Sequence, residues 1–374
     1  KAHMEYARKY DGLKRKTVRV PAAELAAAAK RLSPAFRNAI KTASANIRAY
    51  AKTQLPAERH AEVSAGIRLG QIVRPLDTVA AYIPSGRYPL PSTLLMTVIP
   101  AQVAGVPNVC VATPRGVDEI FGTASLLRAS NVFEMGGAHA IAAFAYGTRT
   151  VPRADRIVGP GSIYVAAAKK LLAGEVGIDF IAGPTEILLI AAEGKPAHLA
   201  ADMLAQAEHD TDASAILLTT SRTLAEAVSA EIERQLETLP TAPIARVAIR
   251  KNSAILLVDS LDQAVELSNL FAPEHLSIPS RSLLAKVRHA GSVFVGPHSP
   301  EAAGDYASGP NHVLPTNGAA RLRGGLSAAD YLKVISVQEL SRKGLQGILP
   351  AVTTLARAEG LEAHARSVEV RQNA

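Results

Sequence analysis

From about residue 78 to residue 300 the sequence alternates short β-branched apolar runs with longer Ala/Leu-rich stretches. This is how βαβ units with parallel strands read: a strand buried on both faces needs a continuous apolar run, and its crossover helix needs apolar residues three or four apart. Candidate strands lie at residues 78–83, 109–113, 186–191, 215–220, 254–258 and 292–295, and helical spacing at 197–208 and 224–236. Residues 1–65 and 327–368 show helix-like patterns and no convincing strand, so they read as helical flanks on an α/β body. Pro/Gly turns near Tyr82 and Pro184 enclose a compact block and mark candidate domain boundaries.

At 374 residues the chain is long enough for two such domains. Its formal charge is +8, but Lys and Arg are scattered rather than gathered in an arm or stripe. A solvated basic surface, congenial to an anionic dinucleotide, therefore explains it better than a nucleic-acid partner. The one cysteine, Cys110, excludes an intrachain disulfide and a CxxC metal site. It lies in Asn108-Val109-Cys110-Val111-Ala112, which reads as buried strand rather than nucleophile. No signal-like apolar region and no run long enough to span a bilayer are visible, so the expected compartment is the cytoplasm, with no membrane partner.

Four polar clusters are candidates for chemistry. In Gln206-Ala207-Glu208-His209-Asp210, Gln206 and His209 are three apart at the end of a helix begun near Pro196. One face would carry both toward a cation, and a polar helix end with His209 complementing the dipole explains them equally. Ala272-Pro273-Glu274-His275-Leu276 puts two proton-handling groups at a helix-to-strand corner, although such neighbours are also common on solvated turns. Residues 304–316, rich in Gly and Pro, hold Asp305 and His312 in either a functional loop or a connector. Glu359-Gly360-Leu361-Glu362-Ala363-His364 would by default be a surface near the C-terminus. Neither GxGxxG nor GxxxxGK[ST] occurs in the required context. Tyr82-Ile83-Pro84-Ser85-Gly86, Gly136-Gly137-Ala138-His139 and Gly159-Pro160-Gly161-Ser162 could each offer backbone N–H groups to a pyrophosphate or simply turn the chain.

Taken in order, these segments resemble the histidinol dehydrogenase family over nearly the whole chain. The matching stretches are residues 82–86 running on through Pro89-Leu90-Pro91-Ser92-Thr93 to Gly105, then 136–148, 159–170, Gly183-Pro184-Thr185-Glu186, 206–210, 272–276, 304–316 and 359–364. The resemblance implies an α/β fold of two incomplete Rossmann-like domains with parallel-rich sheets plus helical N- and C-terminal extensions. Residues 1–81 and 187–326 would form a discontinuous first domain, 82–186 the second, and 327–374 a helical extension for dimerisation. It implies one Zn²⁺ per subunit on Gln206, His209, Asp305 and His364, the last supplied across a homodimer whose active sites are shared. Glu274 and His275 match the acid–base pair. Thr185, His312 and Glu359 match substrate contacts, together with Gln206, His209, His275, Asp305 and His364, while Tyr82, His139 and Ser162 match NAD contacts.

The implied reaction is the NAD-dependent four-electron oxidation of L-histidinol through L-histidinal to L-histidine, the last steps of histidine biosynthesis. His275 would take the alcohol proton and Glu274 would activate water on the aldehyde. A buried Cys110 also disfavours a thiohemiacetal route. Thr185 stands where the family usually has Ser and keeps the hydroxyl; His139 stands where it usually has Gln, and Ser162 where it usually has Asn. The chain starts later than typical members, so by the resemblance the N-terminal arm that helps dimers interlock is short or missing, and the resemblance leaves dimer strength open. Rival readings are a paralogous dehydrogenase of another polar alcohol such as a sulfonated diol, with Arg87 and Arg366 serving its anion, a metal- or nucleotide-binding protein without turnover, and a zinc hydrolase.

Overall fold

The computed structural model describes residues 2–85, 88–129 and 131–372; Gly86 and Arg87, named above, lie outside the described residues. The chain opens with helices α1 (Ala2–Tyr10), α2 (Ala22–Arg31) and α3 (Pro34–Thr53), then strands β1 (Arg59–Ser64) and β2 (Ile67–Pro75). Alternation follows: β3 (Thr78–Tyr82), α4 (Pro91–Val103), β4 (Asn108–Thr113), α5 (Asp118–Leu126), β5 (Asn131–Glu134), α6 (Gly137–Tyr146), β6 (Arg156–Val158), α7 (Ile163–Leu172) and β7 (Gly177–Ile178). A second run comprises β8 (Glu186–Ala191), α8 (Pro196–Ala207), β9 (Ser214–Thr219), α9 (Arg222–Leu236), α10 (Ala242–Asn252), β10 (Ala254–Leu257), α11 (Leu261–Phe271), β11 (His275–Ile278) and β12 (Ser292–Val295). The short α12 (Glu301–Tyr306), β13 (Leu332–Leu340), α13 (Arg342–Ala358) and α14 (Glu362–Glu369) complete the chain.

The two alternating runs form two parallel five-stranded sheets of the same plan. Their orders are β5-β4-β3-β6-β7 and β10-β9-β8-β11-β12, each growing one way from its first strand and then the other. This is the expected pair of incomplete Rossmann-like sheets. β8 shows why the strand runs are uninterruptedly apolar. Ile187, Leu189 and Ala191 join one buried cluster and Leu188 and Ile190 another, so both faces of the strand are covered. Helix ends follow local chemistry: Ser33, Ser221 and Ser260 accept from the backbone N–H three residues on, and Pro34 occupies the first turn of α3. Cys110 is fully buried in β4, and burial pushes its thiol up to about 12.

By contact the chain divides into two compact units. One takes residues up to Gln54 together with Leu76–Tyr331, including both parallel sheets; the other takes Leu55–Pro75 and the residues from Leu332. The sequence boundary at Tyr82 falls at the end of β3, which pairs with β4 and β6, so it cuts within the first sheet; β3 does not join the strands after 187. The second unit corrects the expectation of strandless flanks. β1, β2 and β13 form an antiparallel sheet in which β13 pairs with β2 from Leu332 opposite Pro75 to Leu340 opposite Ile67. These strands are largely exposed and lack a clean apolar alternation, and although β1 and β2 form a local hairpin, β13 meets β2 from more than 250 residues away. No local window carries the signal.

One buried ion pair holds the turn after β6. Lys169, on α7, donates to Asp179 Oδ1 at 2.6 Å and to the Gly159 carbonyl at 2.6 Å, while Asp179 accepts from the N–H groups of Gly159 and Phe180. Gly159 has φ of +107°, and a Cβ there would meet the Tyr82 carbonyl at 2.2 Å, so only glycine fits. Replacing Lys169 by Met leaves Asp179 charged, buried and unpaired. Urea denaturation should show a loss of about 3–5 kcal/mol, partly recovered in a Lys169→Met, Asp179→Asn double variant.

Candidate active site

Three of the four polar clusters meet at the edge of the second sheet where β8 and β11 begin. α11 ends at Ala272 in the left-handed region (φ 57°, ψ 62°), and this reversal delivers Glu274 and His275 directly into β11. Parallel pairing sets His275 opposite Ile187, which brings its imidazole to the backbone of Glu186. Nδ1 lies 3.2 Å from the Glu186 carbonyl. A carbonyl only accepts, so Nδ1 carries a hydrogen and donates. That leaves Nε2 as the nitrogen with a free lone pair in the neutral ring, and it is buried with no hydrogen-bond partner among the described residues.

Carboxylates surround this ring. Glu301 Oε1 and Glu274 Oε2 lie 3.5 and 3.6 Å from Nδ1, and Asp305 Oδ1 lies 3.6 Å from Nε2. These separations are electrostatic contacts rather than hydrogen bonds. Glu301 and Asp305 are four apart on α12, so one face of the helix presents both to the two nitrogens. Gly304 permits the approach, since a Cβ there would strike the Phe294 ring at 2.6 Å. Glu274 Oε2 accepts from Thr185 Oγ1 at 2.6 Å and from the Glu186 N–H at 3.0 Å. Fully buried Gln206 reaches Thr185 and Glu301. The amide orientation that suits both neighbours turns its nitrogen to Glu301 and its oxygen to the Thr185 hydroxyl. His312 donates from Nδ1 to the Asp305 carbonyl at 2.7 Å, and its Nε2 meets Thr93 Oγ1 of α4 at 3.2 Å.

The charges here oppose one another. Burial raises Glu186 to about 7, aided by Glu274, and Glu301 to about 8 against the pull of His275; burial likewise raises Glu274. Burial alone would lower His275, but Glu301, Glu274 and Asp305 outweigh it and hold the imidazole up at about 10. Asp305 goes the other way: burial works to raise it, yet His275, His312 and exposed His209 bring it below its ordinary value. His209 is thus within electrostatic reach of Asp305, although α8 ends at Ala207 and His209 lies past it rather than on the helical face expected from its spacing to Gln206. Burial lowers His312 and keeps it neutral.

This chemistry suits a divalent cation. Gln206, His209 and Asp305 supply amide oxygen, imidazole nitrogen and carboxylate, a donor set that zinc accepts. His275, Glu301 and Asp305 bring potential ligand atoms within 4.8 Å of one another. The Thr185 hydroxyl has one hydrogen but faces two acceptors, Gln206 and Glu274. A cation taking the Gln206 oxygen would leave that hydrogen to Glu274, and would relieve the carboxylates of their mutual repulsion. Glu359 and His364 belong to the second compact unit, where both are exposed. Glu301 and Glu186 were missed in the sequence because neither belongs to a cluster with a second ionisable group of complementary role.

Tyr82 and Ser162 lie at the other kind of edge, where the first sheet changes direction between β3 and β6 and the strands end. Ser162 is exposed at the start of α7 and makes no capping bond, so its hydroxyl is open to a ligand at that helix N-terminus. His139 is already engaged: its Nε2 meets Asp11 Oδ2 at 2.8 Å, the same oxygen that accepts from the Gly136 N–H. Tyr82 Oη accepts from the Gly137 N–H at 3.1 Å. Asp11 thus supplies the negative charge at the α6 N-terminus.

A sequence profile of the histidinol dehydrogenase family matches residues 1–372. The histidinol dehydrogenase of Bacillus thuringiensis subsp. konkukian is 46% identical over 374 residues, covering 98% of this chain and 87% of that protein. That of Thermus thermophilus is 53% identical over 309 residues, covering 81% and 75%. The crystal structure of the Elizabethkingia anophelis histidinol dehydrogenase superposes with a TM-score of 0.96 at 39% identity, over 100% of this chain and 88% of that one. An acetylating aldehyde dehydrogenase from Geobacillus thermoglucosidasius, at 12% identity and a TM-score of 0.52, shares the fold alone.

The charges around His275 fix how the metal-free protein responds to pH. Folding raises three carboxyls above their ordinary 4.5 and His275 above 6.5, so the folded state holds protons that the unfolded state has released. Stability should therefore fall as pH rises from about 5 to about 9, and a bound cation should flatten the decline. Urea midpoints in chelator at about pH 5.5, 7 and 8.5 test this; a rising series would contradict the charge assignment.

Proposed function

The chain belongs to the histidinol dehydrogenase family, and on that premise we propose that it oxidises L-histidinol through L-histidinal to L-histidine, using NAD⁺ and one Zn²⁺ per subunit. The observation that carries this reading is the unpartnered, buried Nε2 of His275, whose tautomer is fixed by the Glu186 carbonyl. When bound, zinc supplies a positive centre that orients the amino and imidazole nitrogens of the substrate, and NAD⁺ accepts hydride. Gln206, His209 and Asp305 are the residues to hold zinc in the first unit, and the turns at Tyr82 and Ser162 those to meet the dinucleotide. With a dication among the carboxylates, the imidazole loses much of the field that holds it protonated and becomes a competent base.

His275 Nε2 then takes the alcohol proton, and Nδ1 passes the gained charge toward Glu186, Glu274 and Glu301. Glu274 holds Oε2 on Thr185 and Glu186, while Oε1, without a hydrogen bond among the described residues, is the atom to draw a proton from water at the aldehyde. His312, held at both nitrogens, lines the substrate site rather than moving protons. Each carbon oxidation removes two electrons, so alcohol to carboxylate yields two NADH.

Absorbance at 340 nm with limiting L-histidinol, NAD⁺ and zinc-loaded protein should give about two NADH per histidinol. Glu274→Gln or His275→Gln should lower kcat by about 10²- to 10⁴-fold. Turnover only of another polar alcohol would move the substrate assignment, and silence on every alcohol would end it.

Exposed His364 and Glu359 fit a site completed by a second copy, the homodimer carrying shared active sites. Mixing His275→Gln with His364→Gln subunits should then restore roughly a quarter of wild-type activity, because half the dimers are mixed and each regains one intact site. Sites confined to single chains would restore none.

A further inference from the structure

Glu301 matches none of the sequence motifs, yet it is 3% exposed at the centre of the site. It lies at the first position of α12, with its carboxylate 3.5 Å from His275 Nδ1 and in hydrogen-bonding reach of the Gln206 amide. We propose that Glu301 is a positioning residue, the buried carboxylate that holds the imidazole of His275 and sets which end of the Gln206 amide faces the metal. The inference rests on the roles given above to His275 and Gln206.

Hydrogen counting supports it. Along Glu301, Gln206, Thr185 and Glu274 there are three contacts between polar atoms, and Gln206 and Thr185 can each fill one. A dication beside Glu301 favours its ionised form, which accepts only, so the Gln206 nitrogen must then turn to it, at 3.0 Å from Oε2, and the amide oxygen must turn away. A neutral amide in place of Glu301 could donate or accept, and Gln206 would lose its single orientation. The charge therefore does the orienting, and an isosteric residue cannot replace it. On the other side, Glu301 and Asp305 bracket the ring at i and i+4, so rotation of the imidazole carries one nitrogen away from a carboxylate. None of this favours the metal-free fold. When ionised, Glu301 adds negative charge to Glu274 and Asp305, and burial opposes all three.

A structural and a positioning role predict opposite results for Glu301→Gln. If Glu301 positions, the metal-free variant should melt at or above the wild-type temperature at about pH 9, where burial and its acidic neighbours oppose the ionised carboxylate. Its affinity for zinc alone, measured by calorimetry on chelator-stripped protein, should be about 10- to 100-fold weaker, and kcat should fall by a similar factor with KM for NAD⁺ unchanged. Glu301→Asp, which keeps the charge and shortens its reach, should bind zinc better than Glu301→Gln. Zinc affinity and kcat equal to wild type in Glu301→Gln would overturn the inference, as would a lowered metal-free melting temperature that Glu301→Asp fails to restore. His275→Gln separates the two levels of argument. If wild type and His275→Gln are equally silent with histidinol, the proposed function fails while the zinc affinities still decide the role of Glu301.

Discussion

The hydrogen bond from His275 Nδ1 to the Glu186 carbonyl is the contact on which the candidate site turns. It exists because β11 pairs in parallel with β8 in one register; a slip of one residue would point the imidazole to the opposite face of the sheet. Ligands of doubly wound sheets usually gather where strands end, and Tyr82 and Ser162 do stand at such an edge. Glu274 and His275, the proposed acid–base pair, instead stand where strands begin, with α12 and the loop through His312 against them. On the proposed reading the chain uses opposite edges of two like-built sheets for different work, and fold analogy alone would search the wrong edge of the second sheet.

Much of this was legible in the sequence. The apolar runs of β3, β4, β8 and β9 announced themselves because strands buried on both faces have little freedom in composition, while the partly exposed edge strands β10 and β12 were visible as short β-branched or aliphatic runs. β11 was not among the expected strands: it is four residues long and begins on the Glu-His pair, so its polar start masks the apolar remainder. β1 and β13 were read as helical flank and β2 lay outside every expected strand, since largely exposed strands without a clean alternation leave no local period. Gln206, His209, Glu274, His275, Asp305 and His312 stood out as clustered polar residues, and the fold brings them together. Glu301 and Asp11 did not. A single acidic residue has a meaning only through what it meets, and their partners lie 26 or more residues away or on other elements.

The same limit applies to the dinucleotide turns. His139 looked free to meet a ligand because its motif opens a helix, but Asp11 had to be located in space before the ring could be seen as engaged. Gly159 illustrates the opposite case. Its place after a strand suggested a tight turn, and the Lys169–Asp179 pair explains how that turn keeps its shape without a side chain of its own.

The charges of the site form one argument. Glu274, Glu301 and Asp305 bring three potential negative charges to a buried ring, and a protonated His275 offsets only one of them. On the proposed reading a dication would offset two, and the remaining negative charge is neutralised when His275 accepts the substrate proton. The site would then approach neutrality as the proton moves rather than before it, which is the direction in which electrostatic preorganisation assists a reaction. This also gives a physical reason for a glutamine among the proposed zinc ligands. An amide oxygen donates without adding a fourth negative charge, whereas a carboxylate at position 206, facing Glu301 and Thr185, would leave the site overcharged even after the proton had transferred.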